Sequence, residues 1–507
     1  ALRQHWRKPA LALTLLAALL LCGADHPVLA TVLSLLWAAS PLWTWWVSRP
    51  CPVRQEHTML PQERAYLDTI ARDTWRFFER CVDAQNHHLP PDNLQTTPHD
   101  MVAHRTSPTN IGLYMLSVAC ARRFGWIGTQ DLLQRLEATL ATLDTLQRHR
   151  GHFLNWYDTL TGAPLLPMYV STVDSGNLSS HLLATAQACR ALAAHPYDDT
   201  ANQQALRTAR ERIAPGLDGR HTLTPDARDA LRWGLADHRH TRRSARRDQD
   251  ARGMDPMAAH LLASQALLAV ARHCEQLAWQ ADFSFLHHPK RHLFHIGFRV
   301  AEQQLDGGFY DLLASESRVT SLVAMAKGDV PVRHWASLGR PFYANGAQAG
   351  LRSWSGSMFE YLMPQLVLDE PYGGALHGAC LVALQEQIDF TRGRGLPWGI
   401  SESAYAGHDH TLAYQYAPQG VPRLALRRTP ADELVIAPYA TALAAQLSPQ
   451  EAARNFTALQ ALSARGRYGF IEALDFSPTR QTGGDRFTPV NTFMAHHQGM
   501  SIVALTN

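Results

Sequence analysis

The chain has 507 residues, of which 18% are charged, and a formal net charge of +3. So balanced a charge excludes a nucleic-acid binder driven by electrostatics. The length allows about three average domains or one large helical barrel. The 7 cysteines are odd in number, scattered and without a C-x-x-C pair. A disulfide framework or structural zinc site is therefore not expected, and a reducing compartment fits better.

Pro9 to Ala24 is nearly all apolar and follows Arg3, Arg7 and Lys8. Asp25-His26-Pro27 interrupts, and Val28 to Val47 forms a second apolar run that closes with Trp43, Trp45 and Trp46 before Arg49 and Arg54. A membrane-spanning helix needs about 20 such residues. Residues 1–54 are expected to form a two-helix transmembrane hairpin, both ends cytoplasmic by the positive-inside rule. A signal peptide fits less well, because no small-residue cleavage site precedes the second run. The chain lacks an initiator Met and reads as a fragment whose last helix is cut short.

From residue 55 onward the period is mainly helical. Apolar spacing predicts helices over Met59–Cys81, from Ser107-Pro108, over Gln130–Arg148, over Leu178–Ala194 and over Ala258–Leu277. Residues 195–256 are polar, with Arg242-Arg243 and Arg246-Arg247, and predict a peripheral helical insert. Its basic run is a solvated face or a membrane-surface contact. Phe283/Phe285 and Leu293–Val300 predict one small β-hairpin around His287–Arg291. Helices resume at Leu312, separated by Gly/Pro loops. The expected fold is an α/α toroid, since no fixed repeat marks a solenoid.

The chemistry-bearing residues lie in the loops. Pro397-Trp-Gly-Ile-Ser-Glu-Ser-Ala-Tyr405 sets one carboxylate, Glu402, between Ser401 and Ser403, with Trp398 and Tyr405 as aromatic faces for a pyranose. Glycoside hydrolysis uses two carboxylic acids across the scissile bond. The other acids among aromatics and hydroxyls are Glu316, Glu360, Glu472, Asp475 and Asp174. Each has a plainer structural role open to it. Arg318 could pair with Glu316, Glu360 sits where a helix dipole favours an acid, and Asp174 and Asp311 could cap helices. The pairs His408-x-His410, His238-x-His240, His287-His288 and His496-His497 lack zinc-site spacing, so no metal is expected. No dinucleotide motif or P-loop appears, and no cofactor is needed.

Several motifs together resemble the central region of cyclic β-1,2-glucan synthases. They are Leu89-Pro-Pro-Asp-Asn, His104-Arg-Thr-Ser-Pro-Thr-Asn-Ile-Gly-Leu, Gly151-His-Phe-Leu-Asn-Trp-Tyr-Asp, Ser171-Thr-Val-Asp-Ser-Gly-Asn-Leu, Tyr310-Asp-Leu-Leu-Ala-Ser-Glu, Ala326-Lys-Gly-Asp-Val-Pro, Trp354-Ser-Gly-Ser-Met-Phe-Glu-Tyr-Leu-Met-Pro, Trp398-Gly-Ile-Ser-Glu-Ser-Ala-Tyr and Ala495-His-His-Gln-Gly-Met. The resemblance implies a bacterial inner-membrane synthase. In it, a glycosyltransferase module elongates linear β-1,2-glucan, a glucoamylase-like module closes the ring, and a phosphorylase-like module trims chains. Residues 1–54 would be the last membrane hairpin and residues 55–507 an (α/α)6-barrel cyclisation domain on the cytoplasmic side.

The resemblance further implies retention of anomeric configuration, with Glu316 as acid/base and Glu402 as nucleophile. Residues expected to bind the glucan are Trp156, Asp174, Asn177, Tyr310, Trp354, Glu360, Trp398, Ser401, Tyr405, Glu472, His496, His497 and Gln498. Tyr157, Phe359, Tyr414, Tyr416 and Tyr468 are further groove aromatics. An inverting β-1,2-glucan hydrolase and a non-catalytic glucan-binding scaffold remain the alternatives. Of the residues alone, none selects Glu402 and Glu316 over Glu360 or Glu472.

Overall fold

The computed structural model describes residues 7–47, 59–217, 224–346, 348–481 and 484–507. The chain divides into two compact units, Ala1–Thr58 with Pro371–Gly374, and Met59–Glu370 with Ala375–Asn507.

In the first unit, helix α1 (Arg7–Leu21) packs on α2 (Pro27–Ala38), which runs on into α3 (Ser40–Val47). Pro27 suits the first helical turn because its missing N–H is unneeded there. The expectation of two spanning helices is corrected. α1 has 15 residues, below the span of about 17–25 that a bilayer needs. Among the described residues one helix is long and apolar enough to cross, Pro27–Trp46, with 20 residues and a mean hydropathy of 1.4.

The second unit is mainly helical. Its elements are α4 (Pro61–Cys81), α5 (Pro108–Arg123), α6 (Thr129–Thr145), α7 (Thr172–Ala193), α8 (Thr200–Leu217), α9 (Pro225–Arg252) and α10 (Pro256–Gln280). Then follow α11 (Arg318–Lys327), α12 (Arg333–Ser337), α13 (Met358–Leu362), α14 (Ala375–Arg392), α15 (Pro438–Ala444), α16 (Pro449–Ala461) and α17 (Ala495–Thr506). The helices expected from apolar spacing all form, with ends shifted by a few residues. α7 starts earlier than predicted, at Thr172.

Six helices follow one another and return. α5 packs on α7, α7 on α11, α13 on α15, α15 on α17, and α17 on α5. Arg318, at the start of α11, links to α13 by donating to the carbonyls of Glu360 and Tyr361 at 2.9 and 2.6 Å. These helices are buried nearly all round, as α5 is from Pro108 to Val118. Small residues permit the crossings. A Cβ on Gly176 of α7 would lie 2.6 Å from Thr320 Cα of α11, and one on Gly499 of α17 would lie 2.7 Å from Leu113 Cβ of α5. Outside them α4, α6, α10, α14 and α16 lie against α17, α5, α7, α13 and α15 respectively. Only one side of these outer helices is apolar, as in α6 with Leu132, Leu136, Leu140 and Leu143 buried.

Residues 195–256 form an antiparallel pair, α8 and α9, that is more than a solvated appendage. Asp237 on α9 receives Arg76 Nε and Nη2 from α4 at 2.9 and 2.6 Å, and Arg212 on α8 bonds Asp73 at 2.8 Å. Asp248 accepts the first backbone N–H groups of α6, from Thr129 and Gln130, both at 2.8 Å. The run Arg242-Arg243, Arg246-Arg247 is exposed, as the solvated-face expectation has it.

Short antiparallel strands fill the loops. The predicted hairpin forms later than expected: Leu293–His295 pairs with His287–His288, while Ser284–Leu286 is a 3-10 turn. Leu293–His295 also pairs with Phe309–Tyr310, and Gly297–Arg299 with Tyr169–Ser171. The stretch after Trp398 is no simple loop. Ser403–His408 forms a hairpin with Tyr414–Ala417.

Candidate active site

The first turns of the six central helices meet at one place, and the functional side chains are there. Thr109 in α5 donates to Asp174 Oδ1 in α7 at 2.5 Å. Tyr439 in α15 stacks on His497 in α17, centroids 3.6 Å apart and planes within 9°. Glu360 is in the first turn of α13, and Glu316 lies two residues before α11. Local sequence explains the helix starts. Ser107, Ser171 and Ser357 each cap a helix by accepting from a backbone N–H of the first turn.

Glu402 follows a turn that requires glycine. Gly399 has φ +127°, a conformation only glycine adopts without strain. Three buried hydroxyls then hold the segment. Ser357 Oγ and Ser401 Oγ are 2.8 Å apart, Ser401 Oγ is 2.8 Å from Tyr439 Oη, and Tyr439 Oη donates to the Glu402 carbonyl at 2.9 Å. The Glu402 N–H donates to Ser357 Oγ at 3.1 Å. From the following hairpin, Tyr416 Oη donates to Glu402 Oε1 at 2.9 Å. Oε2 has no hydrogen-bond donor among the described residues.

Glu402 and Glu316 are both half-buried. Burial pushes the Glu316 carboxyl up to about 8, and the charges of Glu360 and Glu402 add to it. Glu402 rises to about 7. Burial is again the main cause, the Tyr416 hydrogen bond opposes it, and Glu360, Asp174 and Glu472 reinforce it. Helix N-termini stabilise an anion by about 0.3–1 kcal/mol at exposed sites, so here desolvation and mutual repulsion outweigh the dipoles. Tyr310 lies among these acids. Burial, Glu316 and Asp174 hold its phenol far above its usual range, so it stays a proton donor.

The structure sorts the other residues singled out in the sequence. Arg318 is not the partner of Glu316: it bonds Glu370 at 3.2 Å and three backbone carbonyls. Glu360 is 6% exposed, and its oxygens accept from Ser353 Oγ, Ser355 Oγ and the N–H groups of Trp354, Ser355 and Ser357 at 2.6–3.2 Å. Its lone pairs shape that loop and leave little for a sugar. Glu472 faces His497 Nδ1 at 2.9 and 3.0 Å. Burial raises Glu472 to about 8 and depresses both His497 and His496. His496 Nε2 is 3.5 Å from Tyr416 Oη.

Asp174 is raised by burial against the bonds from Ser171 and Thr109. Asn155 can donate to its other oxygen and accept from Trp156 Nε1, both at 3.1 Å, which ties Trp156 to the cluster. Trp354 is 55% exposed beside the Glu360 loop. By contrast, Asn177, Trp398, Ser401 and Gln498 are buried, and Tyr405 lies under Arg480, at 4.8 Å. The four buried residues reach a ligand only through their neighbours, whereas Tyr405 is half-buried. Tyr439, Thr109, Asn155 and Ser357 were not singled out as sugar-site residues. Thr109, Asn155 and Ser357 lie within the quoted motifs, and Ser357 forms a capping box with Glu360, whereas Tyr439 meets Glu402 only through helix packing. Among the described residues no group of three or more His, Cys, Asp or Glu could hold a metal ion.

Comparison with known proteins agrees with this fold. Residues 383–507 match the family described as "Putative glucoamylase". The cyclic β-(1,2)-glucan synthase NdvB of Rhizobium meliloti is 40% identical over 562 aligned positions, which cover 100% of this chain and 20% of that one. The chain thus spans about one fifth of the length of that relative. A crystal structure described as a putative glucoamylase from Bacteroides caccae shares the fold, with TM-score 0.56 and 15% identity over 88% of this chain and 93% of the other. An endo-β-1,2-glucanase from Chitinophaga pinensis, in complex with sophorotriose and glucose, gives TM-score 0.56 and 13% identity over 87% and 92%. The chain is therefore similar along its whole length to one stretch of a cyclic β-(1,2)-glucan synthase, and its C-terminal residues carry the glucoamylase-like signature.

Proposed function

We propose that the second unit is an (α/α)6 barrel that cyclises linear β-1,2-glucan by anomer-retaining transglycosylation. The observation that carries this is the pairing of Glu402 and Glu316, two half-buried carboxyls that repel each other and differ in environment. Glu402 accepts the Tyr416 phenol at Oε1 and has no donor on Oε2 among the described residues, which suits a nucleophile. Glu316, pushed up to about 8 by burial and by the charges of Glu360 and Glu402, suits a general acid.

Glu402 Oε2 attacks C1 of a β-linked glucose while Glu316 gives its proton to the departing O2. The reducing-end portion leaves, and the rest is held as a glycosyl ester. The O2 hydroxyl at the non-reducing end of the held chain then attacks C1, with its proton returning to Glu316. One C1–O2 bond is exchanged for another, so no water and no cofactor is consumed. Ring closure outruns hydrolysis only if the chain end is held close. Oriented intramolecular groups reach effective molarities of about 10⁵ M or more, and Trp156, Trp354 and Tyr416 are the aromatic surfaces placed to hold it.

By the same proposal the chain is one module of a multi-pass synthase of the bacterial inner membrane. Its catalytic unit is cytoplasmic, and glycosyltransferase and phosphorylase-like modules lie elsewhere in the same polypeptide. Similarity to an endo-β-1,2-glucanase fold favours one second reading, an inverting hydrolase. A non-catalytic scaffold is disfavoured by two raised carboxyls held in a shared site.

The pH dependence tests the pair. Activity should rise as Glu402 ionises near pH 7 and fall as Glu316 loses its proton near pH 8, giving a narrow bell. Tyr416→Phe removes a bond that lowers the Glu402 pKa. The acid limb should move to higher pH and the rate drop about 10- to 100-fold. An unmoved acid limb in this variant would count against Glu402 as the group that must be ionised.

A further inference from the structure

The helical insert is absorbed by neither the ring of central helices nor the acid site, and its outer surface has a definite chemistry. Between residues 200 and 255 there are twelve arginines against eight carboxylates. Two of those carboxylates, Asp237 and Asp248, are buried, which leaves the surface more basic still. From Arg239 to Arg247 there are five arginines and no acid. Arg239, Arg242, Arg243 and Arg246 recur at three- and four-residue spacing on α9 and are exposed. Among the described residues none of these four is in an ion pair, whereas Arg247 reaches Gln134 and Asp131.

Directly after this stripe the chain turns at Gly253 and presents apolar side chains outward. Met254, Met257, Leu261 and Leu262 are 103%, 70%, 54% and 67% exposed. The rows Met257–Leu261 and Ala258–Leu262 lie one turn apart on α10. Beside Leu262 a groove of about 600 Å³ opens between α6 and α10, with Leu133, Ala263 and Ala266 in its walls. A protein core or tight homodimer would cover the methionines and leucines but would leave the unpaired arginines without counter-charge. An anionic lipid surface satisfies both, taking apolar side chains into the acyl boundary and arginines onto headgroup phosphates.

We propose that the α9–α10 corner is a second membrane contact, which rests the globular unit on an anionic bilayer independently of the apolar helix Pro27–Trp46. It does not depend on the proposed glucan chemistry.

The test uses the full chain in lipid nanodiscs, with Met257→Cys labelled by an environment-sensitive NBD group. Cys22 and Cys51 are replaced by Ser so that the remaining cysteines, all buried, stay unlabelled. In discs containing phosphatidylglycerol the emission should strengthen severalfold, be quenched by doxyl-labelled lipid, and fall back when Arg242→Glu, Arg243→Glu and Arg246→Glu are combined. Identical emission in phosphatidylcholine and phosphatidylglycerol discs would overturn the proposal. So would an increase that doxyl lipid does not quench and that grows with protein concentration, which would assign the face to a second copy.

Discussion

Glu402→Gln and Glu316→Gln should each abolish ring formation from linear β-1,2-glucan, with a loss of about 10³-fold or more. The amide is isosteric, so the hydroxyl scaffold of Ser357, Ser401 and Tyr439 around residue 402 should survive, and thermal stability should not fall. It should even rise near pH 8. A carboxyl whose folded pKa lies above its unfolded value stabilises the fold at low pH, and that contribution is lost as pH climbs from its ordinary value of 4.5 to about 7 to 8. Azide separates the two roles. In Glu316→Ala the ester can still form, and azide should trap it as the β-glycosyl azide. In Glu402→Ala azide takes the place of the nucleophile and should give the α-azide. The opposite anomers would reverse the assignment, and substantial cyclisation in either Gln variant would remove that residue from the mechanism.

Asp73→Asn should be the costliest structural substitution, at about 3–5 kcal/mol. Asp73 is 4% exposed and bonds three arginines, Arg76 at 2.9 Å, Arg212 at 2.8 Å and Arg465 at 2.5 Å. These come from α4 itself, from the insert and from the strand Arg465–Gly466 after α16, so one carboxylate ties three chain regions. The arginines hold it below the usual carboxylate range although burial pushes the other way. Without that charge Arg465 loses its carboxylate partner, and Arg76 and Arg212 are left to share Asp237. Urea unfolding at neutral pH should show the loss, and Asp389→Asn, an exposed partner of Arg392, should cost under about 1 kcal/mol. Equal small effects at both positions would contradict the account. The neighbouring Glu79 is depressed to about 2, so its contribution is present at neutral pH and is lost as pH falls from its ordinary value of 4.5 towards 2.

How much of this was legible in the sequence depends on the range over which each feature is encoded. The helices were, because α6 repeats leucine at helical spacing and Ser107-Pro108 is a start signal that acts within one turn. The Glu402 segment was too, since glycine, serines and tryptophan crowd into nine residues. Tyr416, Asp174, Glu360 and Glu472 stand out as candidates, but their interaction with Glu402 was not legible. Tyr416 lies across a hairpin whose strands are too short for alternation to show, and Tyr439 arrives on another helix. Glu360 looked as promising as Glu402, and only its full set of loop hydrogen bonds tells them apart. Arg318 looked like a partner for Glu316, yet its guanidinium serves carbonyls of α13 from a distant part of the chain. The insert misled in another way. Asp237 among arginines has the pattern of a solvated face, and only docking on α4 makes it a buried charge.

The central claim is that Glu402 and Glu316 transfer a held glucan onto its own end rather than to water. The most direct measurement incubates the chain with linear β-1,2-glucan and examines products by mass spectrometry and proton NMR. The account predicts rings, each one water lighter than the linear chain of the same length, with no reducing-end signal and only β-linkages. Exclusively linear products, released at first as the α-anomer, would contradict it and identify an inverting hydrolase.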